Sequence, residues 1–128
     1  MKKFTLVVSV LMMVGAATQL KAQSFSLGNV DANIVTSDVW QDANAHVDLI
    51  NTSSTLKRVK VERFINTIQQ GQMELFCFGS GVTGLCYPPG TNASNGNDTI
   101  LAGVTDHSFK ATLKPFGTYG NASIHYRF

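Results

Sequence analysis

The sequence contains only two cysteines, Cys77 and Cys86. They do not form a C-x-x-C pair and have no further Cys or His beside them, which disfavours metal-binding or redox thiols. Neither lies near residue 22, so a lipid-anchored amino terminus is not expected. No apolar run reaches the roughly 20 residues that a membrane-spanning helix needs; the longest, Phe4 to Ala17, has about 14. No long helical period follows it, and no G-x-S-x-G nucleophile elbow occurs anywhere. Clustered basic residues of the kind that hold nucleic acid are also missing.

What is present begins with a leader. Met1-Lys2-Lys3 is a short positive segment, the apolar run follows, and Leu20-Lys21-Ala22 places a small residue before a cut ahead of Gln23. This three-part order predicts a cleaved secretory signal peptide over 1–22. A buried amino-terminal helix is the competing reading, but it has no polar face to meet water. Removal of Lys2, Lys3 and Lys21 leaves seven basic against eight acidic residues, so the basic balance of the whole chain belongs to targeting. The remainder, 23–128, is long enough for one small domain.

Within 23–128, apolar and polar residues alternate in short runs cut by Gly, Asn, Asp, Ser and Pro, which predicts strands. Ser24 to Val30 puts Phe25 and Leu27 on one face, and Ala45 to Leu49 alternates cleanly. Leu56 to Ile65 reads as one strand with Val59 and Val61 inward and Arg58, Lys60 and Glu62 outward. Met73 to Phe78, Thr99 to Leu101, Ser108 to Leu113 and Ala122 to Phe128 complete the set. Tyr87-Pro88-Pro89-Gly90 ends any ladder, because proline donates no backbone hydrogen bond. About seven short strands with frequent turns predict an all-β chain, an immunoglobulin-like β-sandwich. A small closed barrel is the alternative all-β solution. Cys77 and Cys86 flank Gly79-Ser80-Gly81-Val82-Thr83-Gly84, so the expected bridge staples a hairpin and closes a loop of about ten residues.

Phe76-Cys77-Phe78-Gly79 followed by Cys86-Tyr87-Pro88-Pro89 resembles the FCWG…CYPP signature in amino-terminal immunoglobulin-like modules of secreted Bacteroidota proteins, many of them associated with type IX secretion. Asn51-Thr52-Ser53-Ser54 with the following LKRVKVER is similar to the N-x-S-S…V-K-V-x-R strands of those modules. Phe109, Pro115-Phe116-Gly117, Gly120 and Ile124-His125-Tyr126-Arg127-Phe128 are similar to their carboxy-terminal part. The resemblance covers roughly Asp42 to Phe128 and implies an adhesion or accessory module without naming its ligand. Such relatives continue into another strand, a linker and a sorting domain, whereas this sequence stops at Phe128. It therefore reads as a stand-alone version or a truncated frame, and only the leader's export route is expected from it.

Individual candidates divide between chemistry and plainer roles. His46, His107 and His125 fall in predicted strands at wide separation. A copper site of two His, Cys and Met lacks its tight loop, since YPPGTNAS follows Cys86. They are read as ordinary strand histidines, and no metal or cofactor is expected. Ser80 is read as part of a flexible turn, and Asp38 with Asp42 as a loop solvating itself rather than a glycosidase pair. No catalytic residue is assigned, and the chain is not expected to be an enzyme. Lys57, Arg58, Lys60 and Arg63 would hold an acidic polysaccharide or lipid head groups as a continuous basic stripe. Glu62 interrupts them, however, and alternation puts Lys57 and Arg63 on the face opposite Arg58 and Lys60. They are read as a solvated face that discourages edge aggregation. Trp40, with Tyr87 and Tyr119, would make a ligand-contact platform for carbohydrate if exposed, but Trp40 is expected more as a core plug. Sequons begin at Asn51, Asn92, Asn97 and Asn121, and Asp98-Thr99-Ile100 resembles an O-glycosylation triplet that would modify Thr99.

The expectation is an exported, non-catalytic structural or binding module, secreted or at the cell surface, with the periplasm as a further location. Its partner would be a protein or polysaccharide, reached through surface contacts or by assembly on an open strand edge. It would neither bind nucleic acid nor span the membrane. The rivals are a small outer-membrane β-barrel and a small secreted enzyme or metal carrier.

Overall fold

Period-two alternation becomes antiparallel pairing along about half of the described residues. The computed structural model describes residues 24–79, 84–94 and 98–128. The expected leader 1–22, Ser80 and Asn97 of the third sequon lie outside the described residues. Among the described residues nine strands are formed: β1 (Phe25–Gly28), β2 (Ala43–Asn51), β3 (Lys57–Val59), β4 (Glu62–Thr67), β5 (Met73–Phe78), β6 (Leu85–Tyr87), β7 (Asp98–Ile100), β8 (Thr105–Lys114) and β9 (Ser123–Arg127). The described residues contain no helix, and so none long and apolar enough to cross a membrane. The chain is all-β.

The main sheet runs β1-β2-β8-β5-β6, with β1 and β6 as open edges rather than closed on itself. Its inner face is set by register. Ala45 lies opposite Ala111, Phe76 opposite both Ala111 and Tyr87, and Leu27 opposite Leu49. A bulge between Val47 and Leu49 shifts the β2–β8 pairing. Bulges of this kind add twist and re-aim neighbouring side chains.

Facing this sheet is a second, narrower layer made of the β3–β7 and β4–β9 ladders. Leu56 to Ile65 is therefore two strands, because the pairing partner changes at its middle. β3 pairs with β7, and then Val61 N–H donates to Ser94 Oγ at 3.0 Å while Ser94 N–H donates to Val61 O at 2.9 Å. The additional strand β6 holds Tyr87 opposite Phe76 and ends where Pro88 removes a donor. These two features raise the number of strands above the expected seven. The arrangement of a five-stranded sheet under a narrower layer is consistent with a β-sandwich.

The layers meet on an aromatic file. Tyr87 stacks on Phe76 at 4.9 Å between ring centroids, Phe76 lies 6.4 Å from Phe109, and Tyr126 and Phe128 stand edge-on to Phe109 at 4.9 Å each. Phe76 and Phe109 are fully buried with Leu49, Ile100 and Val61. Each such side chain contributes about 1.5–3 kcal/mol by leaving water. At one end of the main sheet, Cys77 and Cys86 sit directly opposite each other on β5 and β6, bonded, with Cα atoms 3.9 Å apart. The expected hairpin staple is present, and both thiols are thereby committed.

Candidate functional site

Unequal layer widths leave part of the dry face uncovered. Beside β9, over β2 and β8, runs a groove of about 600 Å³. Ala43, Ala45, Val47 and Ala111 are among the residues lining it, and its rim includes Val30 and Ile34 from the segment after β1 and Ile124 from β9. Leu27, Val30 and Ile34 are exposed, and Val35 nearby is 94% exposed. Small residues on this part of the sheet create depth that larger ones would have filled.

The wall formed by β9 has an unused ladder edge. Arg63 N–H donates to Asn92 O at 2.8 Å, on the side of β4 away from β9. Arg63 and Tyr126 are therefore a non-hydrogen-bonded pair, and the backbone N–H and C=O of Tyr126 point out of the outer edge of β9. Period two gives Ile124 the same direction. No strand among the described residues pairs with that edge.

Beneath the groove lies a buried charge cluster. Arg63 Nη1 donates to Glu74 Oε2 at 2.6 Å, with side-chain exposures of 0% and 1%. Arg63 Nη2 donates to the carbonyls of Pro88 at 3.0 Å and Thr91 at 2.6 Å, and the guanidinium lies 5.2 Å from the Phe76 ring centroid. Only its Nε is buried without an acceptor. The Tyr126 hydroxyl donates to the other oxygen of Glu74. Burial, followed by the neighbouring Glu74 carboxylate, pushes the Tyr126 phenol well above its ordinary value, so it stays a proton donor in this contact. With one oxygen engaged by the buried Arg63 and the other by the half-buried Tyr126, Glu74 ties the two layers together.

A third feature is an end where loops interlock. Asp38 Oδ1 accepts from Trp40 N–H at 2.8 Å, and Gly117 N–H donates to Val39 O at 2.9 Å. The Trp40 ring lies so close over Gly117 that an added Cβ would come within 2.7 Å of it. Gly117 is thus a flat seat that no other residue supplies. Phe116 and Gly117 have φ of 49° and 80°, and Thr118 N–H donates to Pro115 O at 2.9 Å, forming a tight turn with two left-handed residues. For a bulky residue such as Phe116 this conformation costs on the order of 1–3 kcal/mol.

Compared with known proteins, the chain matches no family model, no curated protein and no solved structure.

The sequence-derived candidates separate clearly on this frame. Trp40 is 75% exposed and Tyr119 79%, so Trp40 is not a core plug; it belongs to a loop seated on Gly117. Tyr87 leaves the ligand-contact group, because it is 5% exposed and stacked on Phe76. Arg63 leaves the basic stripe for the core, sharing the inward parity of Val59 and Val61. Lys57, Arg58 and Lys60 line a separate surface recess with Arg127, where Glu62 is paired to Arg127 and lies 3.9 Å from Lys60.

His107 Nδ1 lies 2.5 Å from Asp48 Oδ1, and His46 Nδ1 is 3.4 Å from Asp31 Oδ2, on or beside the outer face of the main sheet. His125 is on the opposite layer. No three His, Cys, Asp or Glu among the described residues are grouped to hold a metal ion. Asp42 pairs with Lys114 at 2.9 Å, and Asp38 caps its own turn, so the two carboxylates have separate tasks. Thr99 is exposed on β7 opposite Arg58. Asn51, the first residue of a sequon, is fully buried, and its Nδ2 donates to the carbonyls of Thr55, Ile100 and Leu101.

Proposed function

We propose that the chain is an exported, non-catalytic module of immunoglobulin-like type that accepts an extended strand from a partner protein along the outer edge of β9. The observation that carries this reading is the groove beside β9, with its small-residue floor and the outward backbone groups of Ile124 and Tyr126. An added strand would satisfy those groups and set alternate side chains into the groove. The depth left by the small side chains of Ala43, Ala45 and Ala111 favours a strand with large apolar residues at every second position. Placement outside the inner membrane, as a secreted or cell-surface protein, rests on the leader at 1–22 and agrees with the Cys77–Cys86 bond. The resemblance to secreted immunoglobulin-like modules points the same way.

The test is amide hydrogen exchange at Ile124 and Tyr126, on the isolated chain and on native assemblies from culture, with an Ala45→Phe variant alongside. The expected result is fast exchange in the isolated chain and protection in the assembly. In the Ala45→Phe variant, whose added ring fills the groove, both assembly and protection should be lost. A protein that stays monomeric in native extracts, with these two amides already protected, would overturn the reading.

A further inference from the structure

We propose that the end of the molecule carrying Trp40, Phe116 and Tyr119 is a second binding site, a stacking platform for a neutral polysaccharide. It is independent of the strand-accepting groove, whose lining includes none of these three residues. Their exposures are 75%, 54% and 79%, and Trp40 is the sole tryptophan of the chain. Three large rings left in water at one end are unlike the aromatic file packed between the layers, and unlike the exposed Phe64, which lies alone under Arg127.

The loops that hold them are fixed rather than loose. Gly117 bonds to Val39, and Gln72 Nε2 donates to Thr118 O at 3.4 Å. Gln69 Nε2 donates to Asn121 O at 3.1 Å and also packs on Gly120. Rings held this way lose little freedom when a ligand settles on them, which is the advantage of rigid aromatic contacts. The left-handed Phe116 adds a sign of selection: a turn built for two such residues would be more stable with glycine, yet an exposed ring stands there.

The surroundings decide the ligand class. Next to the rings along the chain stand uncharged hydrogen-bonding residues, Gln41, Thr118 and Asn121; of the charges at this end, Asp42 and Lys114 neutralise each other and the Asp38 carboxylate caps the Trp40 N–H. Neutral hydroxyl-rich sugars match this pattern: their C–H faces lie on rings while their hydroxyls meet amides. An acidic polymer would find no net positive charge here, and an apolar partner would strand the amides unbonded.

The experiment uses the full chain after leader removal. It is run on native gels containing hydroxyethylcellulose, mixed-linkage β-glucan, galactomannan or dextran, with alginate as the anionic comparison. Trp40 fluorescence is read in parallel and reports this site alone. Retardation by at least one neutral polymer with a change in Trp40 emission is expected, weakened at least tenfold in Tyr119→Ala and Phe116→Gly. Because Phe116→Gly suits the left-handed turn, its melting temperature should hold or rise, which separates lost binding from lost folding. No retardation by any neutral polymer, retardation by alginate alone, or retardation unchanged in both variants would each overturn the proposal. None of these results depends on whether β9 accepts a strand.

Discussion

Replacing Glu74 with alanine strips the acceptor from an arginine that has no access to water. Arg63 and Glu74 are 0% and 1% exposed at their side chains, and the Tyr126 hydroxyl donates to the same carboxylate. Removing one member of a buried ion pair costs about 3–5 kcal/mol, because the remaining charge is left desolvated. Arg63 keeps its bonds to the Pro88 and Thr91 carbonyls, which places the expected loss toward 3 rather than 5 kcal/mol in that range. For a domain near 100 residues this lowers the melting temperature by about 12 °C or more.

A paired Arg63→Met/Glu74→Met variant tests the cause. It removes both charges, so it should lose less than the sum of the two single changes, with a coupling of about 1–3 kcal/mol. It should not return fully to the parent stability, because the Pro88 and Thr91 carbonyls then have no guanidinium to accept from. Urea unfolding of the disulfide-bonded protein, followed by Tyr and Trp fluorescence, measures all these variants on one scale. A Glu74→Ala loss below about 1 kcal/mol would refute the argument, since such a value belongs to solvent-exposed pairs.

Two further expectations follow from the same contacts. Replacing both Cys77 and Cys86 with serine opens a loop of about ten residues and should cost about 2–3 kcal/mol, seen as a lower urea midpoint. An unchanged midpoint would mean that register alone holds the β5–β6 hairpin. In acid, the Asp48 carboxyl is held below its ordinary 3.8, first by His107 and then by Asn29, and Glu62 below its ordinary 4.5 by Arg127. Folded values lower than unfolded ones give stability that is complete above about pH 4.5 and is lost as pH falls through the folded values. Urea midpoints taken from pH 7 to pH 2 should therefore fall mainly below pH 4, and the slope should flatten in an Asp48→Asn/Glu62→Gln variant. A slope identical to that of the parent would remove both carboxylates from the account.

Much of the strand plan is legible because local sequence dictates it. Met73 to Phe78 is dense in apolar residues and is found as β5 with those bounds. Pro88 ends β6 because its missing N–H ends any ladder. Cys77 and Cys86 flank a glycine-rich turn, and hairpin register then places them face to face. The break between β3 and β4 is not legible, since Arg58 to Glu62 alternates straight across it. It arises from Ser94, 33 residues further along than Val61, whose hydroxyl takes the Val61 N–H.

Arg63 shows where local pattern and chemistry part. Its parity with Val59 and Val61 already placed it on the inward face, yet its charge suggested a wet surface. Burial became tolerable only because the β4–β9 and β5–β8 registers bring Glu74, Tyr126 and two carbonyls around it. Trp40 is the opposite case: hydrophobicity suggested the core, but its loop meets a distant Gly117 that offers a seat at the surface. The sequence by itself determined the all-β class, most strand positions and the disulfide hairpin, because these depend on alternation, turn chemistry and nearby cysteines. Tertiary structure alone decided which charges are buried, which rings face water and where the second layer leaves the main sheet open. Those depend on partners that only long-range register brings together.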